Sequence, residues 1–166
     1  DFDIKDALDL VKKLDPKDCR LKVGNQLFTA RGPEIVKIFQ DKGFEVFLDL
    51  KFHDIPNIVN KAVKSAAELG VWMVNVHASG GGKMLEAANS ALENKNRKPL
   101  LVGVTLLTSL DKNSSREIGF QLDPKDQALL LAKLCKDKDL SGVVCSPKEI
   151  VDLRRELGKD FILVTP

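Results

Sequence analysis

The chain has 166 residues, 43% of them hydrophobic and 30% charged, which fits one domain with a sizeable core and leaves little room for two. Its 26 basic and 24 acidic residues are dispersed and nearly cancel at +2. That balance gives no electrostatic reason to expect nucleic acid or an anionic membrane as partner.

The elements alternate from the start. A first helix carries Ile4, Ala7, Leu8, Val11 and Leu14 at spacings of three and four, the stripe of a helix with one face buried. Short apolar runs then mark strands at Arg20–Val23, Val46–Leu50, Met73–Val76, Leu100–Thr105, Gly142–Cys145 and Phe161–Val164. Several lack in/out alternation, as strands covered on both faces do. Pro33 and Pro56 are placed to open the second and third helices. The third shows Val59, Ala62, Val63, Ala66 and Leu69, with Gly70 positioned to end it. Ala128, Leu129, Ala132 and Cys135 form the stripe of the fifth. Ser146-Pro147-Lys148-Glu149 reads as a capping box opening the sixth.

Alternating β and α elements imply a parallel sheet with right-handed crossovers. Six strands suit either an open doubly wound sheet or part of a barrel. A leading helix with no strand before it hints at a missing first strand; that strand, with one further βα unit at the back, would complete a (β/α)8 TIM barrel. The whole span, 1–166, reads as a single (β/α) barrel domain, incomplete at both ends. The chain opens on Asp1 and stops at Pro166 after an apolar run, and both ends read as interruptions that would leave open strand edges. The stretch Leu106–Leu122 is long and turn-rich, the pattern of either a functional loop or a tolerated insertion.

Cys19, Cys135 and Cys145 are too few and too scattered for a disulfide framework or zinc ribbon, and suit a reducing compartment. No signal-like start is visible, and the longest uncharged runs fall short of the ~20 residues of a membrane helix. A cytoplasmic location is expected, with no membrane partner. His53 and His77 have no third ligand at a useful spacing, so no metal site is expected. Gly80-Gly81-Gly82-Lys83 lacks the spacing of a phosphate loop and reads as a turn into the fourth helix. Trp72 and Met73 read as core or interface.

The chemistry concentrates in Asp49-Leu50-Lys51-Phe52-His53-Asp54-Ile55-Pro56-Asn57. Asp49 and Lys51 are two apart at the C-terminal end of a strand, so both side chains project to one side. Asp54 follows in the loop. Lys22 lies near the end of the preceding strand. In parallel α/β architectures active sites collect at these ends. Singly, each of these residues reads as a solvated charge or surface ion pair; together they favour a site, because opposite charges answer one another's desolvation.

This segment resembles the Asp-x-Lys-x-x-Asp-Ile-Pro-Asn signature of the orotidine 5′-monophosphate decarboxylases, bacterial branch. Further similarity runs through Arg20–Gly24, Gly70–Gly81, Val104–Ser109, Gly142–Ser146 and Leu163–Pro166. The resemblance implies conversion of orotidine 5′-monophosphate to uridine 5′-monophosphate, without cofactor, in a homodimer. It implies Lys51 as proton donor to C6 of the pyrimidine, with Asp49 and Lys22 completing a charged array and Asp54 reaching it from the partner subunit. Thr108 and Ser109 would read the pyrimidine edge, and Pro166 would line the base pocket. Ile55 and Ile58 fall at substrate-contacting positions; the family often has threonine at 58, so one hydroxyl contact across the interface is expected to be lost. A ribose-binding aspartate is expected before Asp1 and a phosphate loop after Pro166. Two alternatives stay open: a Mg²⁺-dependent sugar-phosphate decarboxylase or aldolase with the same cluster, and a non-catalytic nucleotide-binding barrel.

Overall fold

The computed structural model describes residues 2–93 and 96–166. Helix α1 (Ile4–Val11) is capped by the Asp3 carboxylate, which accepts from the Asp6 amide at 2.9 Å, and it buries Ala7 and Val11. The strands follow as β1 (Leu21–Gly24), β2 (Val46–Phe52), β3 (Met73–His77), β4 (Leu100–Val104), β5 (Gly142–Val144) and β6 (Ile162–Val164). Between them run α2 (Asn25–Arg31), α3 (Glu34–Asp41), α4 (Pro56–Glu68), α5 (Gly82–Ser90), α6 (Lys112–Glu117), α7 (Pro124–Asp137) and α8 (Ile150–Leu157).

All strand pairs are parallel, and their spatial order is their order in sequence. This decides between the two architectures left open by the pattern. A doubly wound sheet reverses its order at a switch point. Here every right-handed crossover steps the same way, so the helices gather on one face and the sheet curls into the barrel type. On the other face Phe47, Met73 and Val102 form a small cluster with Trp72, Leu100, Val144, Ile162 and Val164. The helices pack on the outer face through a larger core that includes Val23, Leu48, Val74, Leu101 and Val143.

Several local expectations hold in detail. Pro56 occupies the first turn of α4, which buries Val59, Val63 and Ala66. Gly70 follows that helix at φ +72°, a left-handed conformation that disfavours a β-carbon. The capping box forms: Ser146 N donates to Glu149 Oε2 at 2.8 Å and Lys148 N to Ser146 Oγ at 3.3 Å. It opens a short 3-10 turn (Pro147–Glu149) that runs into α8.

Three features differ from the sequence reading. Residues 25–31, given no element there, form α2 ahead of the Pro33-led α3. The turn-rich part of 106–122 folds into α6, because the Asp111 carboxylate caps it by accepting from Ser114 N at 2.8 Å. Strand β2 continues past Leu50 to Phe52, with consequences for the site.

Candidate active site

Register explains how the charged residues meet. Lys22 lies opposite Phe47, and Gly24 opposite Asp49, in the β1–β2 ladder. Lys22, Phe47 and Asp49 therefore share the inner face of the curled sheet, with Phe47 below and Asp49 nearer the C-terminal rim. The β2–β3 ladder pairs Phe47 with Met73 and Leu48 with Val74, then shifts and resumes at Phe52 and Val76. Three residues of β2, Asp49 to Lys51, thus face one residue of β3, Asn75. Lys51 takes up the excess with φ +51°. A left-handed residue other than glycine costs about 1–2 kcal/mol, and such bulges commonly re-aim side chains at active sites.

The re-aimed Lys51 ammonium donates to Asp49 Oδ1 at 2.6 Å. Lys22 Nζ meets the other carboxylate oxygen, Oδ2, at 3.0 Å. Asn75, fully buried, donates through Nδ2 to Asp49 Oδ1 at 2.7 Å. Its Oδ1 accepts the backbone N–H of Lys51 at 2.8 Å. A hydrogen bond to an ionised group contributes about 1.5–3 kcal/mol, so this network offsets the backbone strain. Burial works to raise the Asp49 pKa, but the hydrogen bonds from Lys51, Asn75 and Lys22, with the Lys22 charge, together hold it below the ordinary 3.8. The result is one carboxylate clasped between two ammonium groups at the rim of the sheet.

His77 ends β3, and its ring centroid lies 5.2 Å from that of His53. Burial, with the neighbouring charges of His53 and Lys51, lowers its pKa below 6.5, which favours the neutral ring. Among the described residues no three His, Cys, Asp or Glu side chains gather where they could hold a metal ion.

The remaining candidates lie outside the array. Asp54 is exposed, and its Oδ1 accepts from the Ile55 N–H at 2.6 Å. Ile55 (64% exposed) and Ile58 (44%) stand out from the loop and the first turn of α4. Lys51 and Asp54 border one groove of about 320 Å³ with His53 and Ile58. Thr108 and Ser109 are exposed after β4, with Thr108 on a separate cleft of about 350 Å³ beside Ser146 and Lys148. Pro166 is exposed beyond β6. All follow C-terminal ends of strands, but this chain brings only Lys22, Asp49 and Lys51 into contact.

Asn75 is the participant that the sequence reading missed. The signal was present: a lone amide inside the apolar run Met73-Val74-Asn75-Val76, in phase with His77, must find buried partners.

The chain is 56% identical over 167 aligned residues to the orotidine 5′-phosphate decarboxylase of Saccharophagus degradans, covering 100% of this chain and 70% of that protein. It is 52% identical to the same-named protein of Neisseria meningitidis serogroup C, covering 98% and 66%. The chain thus spans about two thirds of the length of these curated relatives. The crystal structure of orotidine 5′-phosphate decarboxylase from Lactobacillus acidophilus superposes with a TM-score of 0.92 at 38% identity, covering 100% of this chain and 77% of that one. A family model described as "Orotidine 5'-phosphate decarboxylase / HUMPS family" matches residues 1–166. With the rim array in place and matches along its whole length, the chain belongs to the orotidine 5′-phosphate decarboxylase / HUMPS family.

Proposed function

We propose that the protein decarboxylates orotidine 5′-monophosphate to uridine 5′-monophosphate, with Lys51 as proton donor. The observation that carries this reading is the Lys22–Asp49–Lys51 array at the strand ends, in a chain 52–56% identical to relatives bearing the decarboxylase name. The C6–carboxylate bond breaks, its electron pair stays on C6, and a proton passes from Lys51 Nζ to that carbon as CO₂ leaves. The orotate ring delocalises such a pair poorly. Where no cofactor serves as electron sink, fixed positive charge aimed at C6 in a site closed to water supplies the stabilisation. Asp49 orients both lysines, and its negative charge beside the substrate carboxylate favours departure of CO₂.

Asp54 joins from the partner subunit of a homodimer in this reading. Its exposure in the single chain, together with the exposed Ile55 and Ile58 on the same loop and helix, supports an interface at that rim. Thr108 and Ser109 read the pyrimidine edge, and Pro166 lines the base pocket. Remote contacts to the nucleotide's phosphate contribute binding energy that closes the site.

The test follows orotidylate absorbance with the full-length protein in EDTA and without added cofactor. Turnover to uridylate is expected. The family also includes HUMPS proteins; activity lost in EDTA and restored by Mg²⁺ would shift the assignment to a metal-dependent sugar-phosphate reaction. Uridylate binding without turnover would leave a nucleotide-binding barrel.

A further inference from the structure

We infer that Asn75 is a positioning residue, whose side-chain amide holds the Lys51 backbone and the Asp49 carboxylate in the arrangement the reaction needs. This rests on the reading of Lys51 and Asp49 as the reacting pair. Three residues of β2 face Asn75 alone, so the ladder does not dictate the path of Asp49–Lys51. The amide of Asn75 spans that gap. Its oxygen takes the Lys51 N–H at 2.8 Å and its NH₂ reaches Asp49 Oδ1 at 2.7 Å.

Chemistry fixes the orientation of this amide. An N–H must meet the carbonyl oxygen and a carboxylate must meet the NH₂ group, so turning the amide over breaks both bonds. Of the side chains of this size, leucine supplies neither contact, and ionised aspartate supplies only the acceptor. Asn75 is 0% exposed, and it reaches the rim only through its neighbours. It also shares its acceptor: Lys51 Nζ and Asn75 Nδ2 converge on Asp49 Oδ1, leaving Oδ2 to Lys22. One buried amide therefore sets where the proton donor's chain turns and which way its counter-ion faces.

The test compares wild type, Asn75→Leu, Asn75→Asp and Lys51→Ala in the full-length protein. Readouts are kcat and KM for orotidylate across pH, and hydrogen exchange at the Lys51 amide. Asn75→Leu is expected to lower kcat by about 100-fold, the scale of a misplacement near 1 Å, with KM little changed. The acidic limb of its kcat profile moves to higher pH, since Asp49 loses a hydrogen bond that favours its ionised form. Its Lys51 amide exchanges faster. Asn75→Asp keeps the acceptor and adds a like charge, so Lys51 stays protected while the acidic limb moves up. A folded Asn75→Leu with kcat within about threefold of wild type and an unmoved acidic limb overturns the inference. If Asn75→Leu does not fold, an unmoved limb in Asn75→Asp does so. If wild type does not turn over orotidylate, the proposed function fails, and Lys51 amide exchange still decides the role of Asn75: unchanged protection in the leucine variant overturns it.

Discussion

Lys51 holds a backbone conformation that its side chain disfavours, and it does so beside the carboxylate that pairs with its ammonium. Replacing Lys51 with alanine would remove the proposed proton donor while leaving the strand pairing of the sheet. Turnover should fall by several orders of magnitude, about 10³-fold or more, while uridylate binding by calorimetry changes far less. Near-normal turnover would remove Lys51 from its role. Asp49 gives a pH prediction. Its pKa is lowered from 3.8 in the folded protein, so its contribution to stability is complete above about pH 4 and is lost as pH falls through the folded value. Asp49→Asn should flatten that part of the stability–pH curve in urea titrations between pH 5 and 2. The motif made Lys22, Asp49, Lys51 and Asp54 visible as types and spacings. That Asn75 takes part could not be read from spacing, because it follows from the register between β2 and β3.

At the scale of elements, the apolar stripes and punctuation were legible because they express short-range rules. Proline opens α4, Gly70 ends it, and the Ser146–Glu149 box starts the last helix. Helices α2 and α6 were not anticipated. Helix α2 buries no residue fully, so it lacks a stripe, and α6 depends on one aspartate cap within a polar segment. The contact between β5 and β6 offers a sharp test. A β-carbon at Gly142 would lie 2.2 Å from the Ile162 carbonyl oxygen, and backbone cannot yield as a flexible side chain can. Gly142→Ala should cost about 1–3 kcal/mol, read as a lower denaturant midpoint. An unchanged midpoint would mean the strands approach less closely than the geometry requires. Cysteine reactivity tests the packing of α7. Cys135 is fully buried, and burial pushes its thiol up to about 12, whereas Cys19 is only partly covered. Alkylation under native conditions should label Cys19 and spare Cys135, as peptide mapping would reveal.

Across the whole molecule, the two ends of the sheet divide the work. The array lies at the C-terminal rim. At the other end, preceding the strands, Arg20 stacks over Trp72 at 4.3 Å and shares Glu45 with Arg97. Residues at that end of a barrel serve stability. Trp72→Ala should therefore lower the melting temperature while kcat stays near wild type; a large kcat loss in the folded variant would contradict that division. The proposed shared site predicts complementation. Lys51→Ala and Asp54→Ala proteins, each inactive alone, should regain turnover when mixed under conditions that exchange subunits, since one heterodimer site keeps both residues. Absence of recovery with exchange demonstrated would remove Asp54 from the partner's site.

The sequence by itself determined the βα rhythm, the strands and most helices, and the lysines and aspartates of the proposed site. These depend on periodicity and on residues within a few positions of one another. The choice of a curled sheet over a doubly wound one was decided by spatial strand order, which the alternating pattern leaves open. The bulge that turns Lys51 and the amide of Asn75 within it were decided by how β2 lies against β3. Residues 26 apart, such as Asp49 and Asn75, share a hydrogen bond only once the sheet has set its register, so no local rule could have joined them.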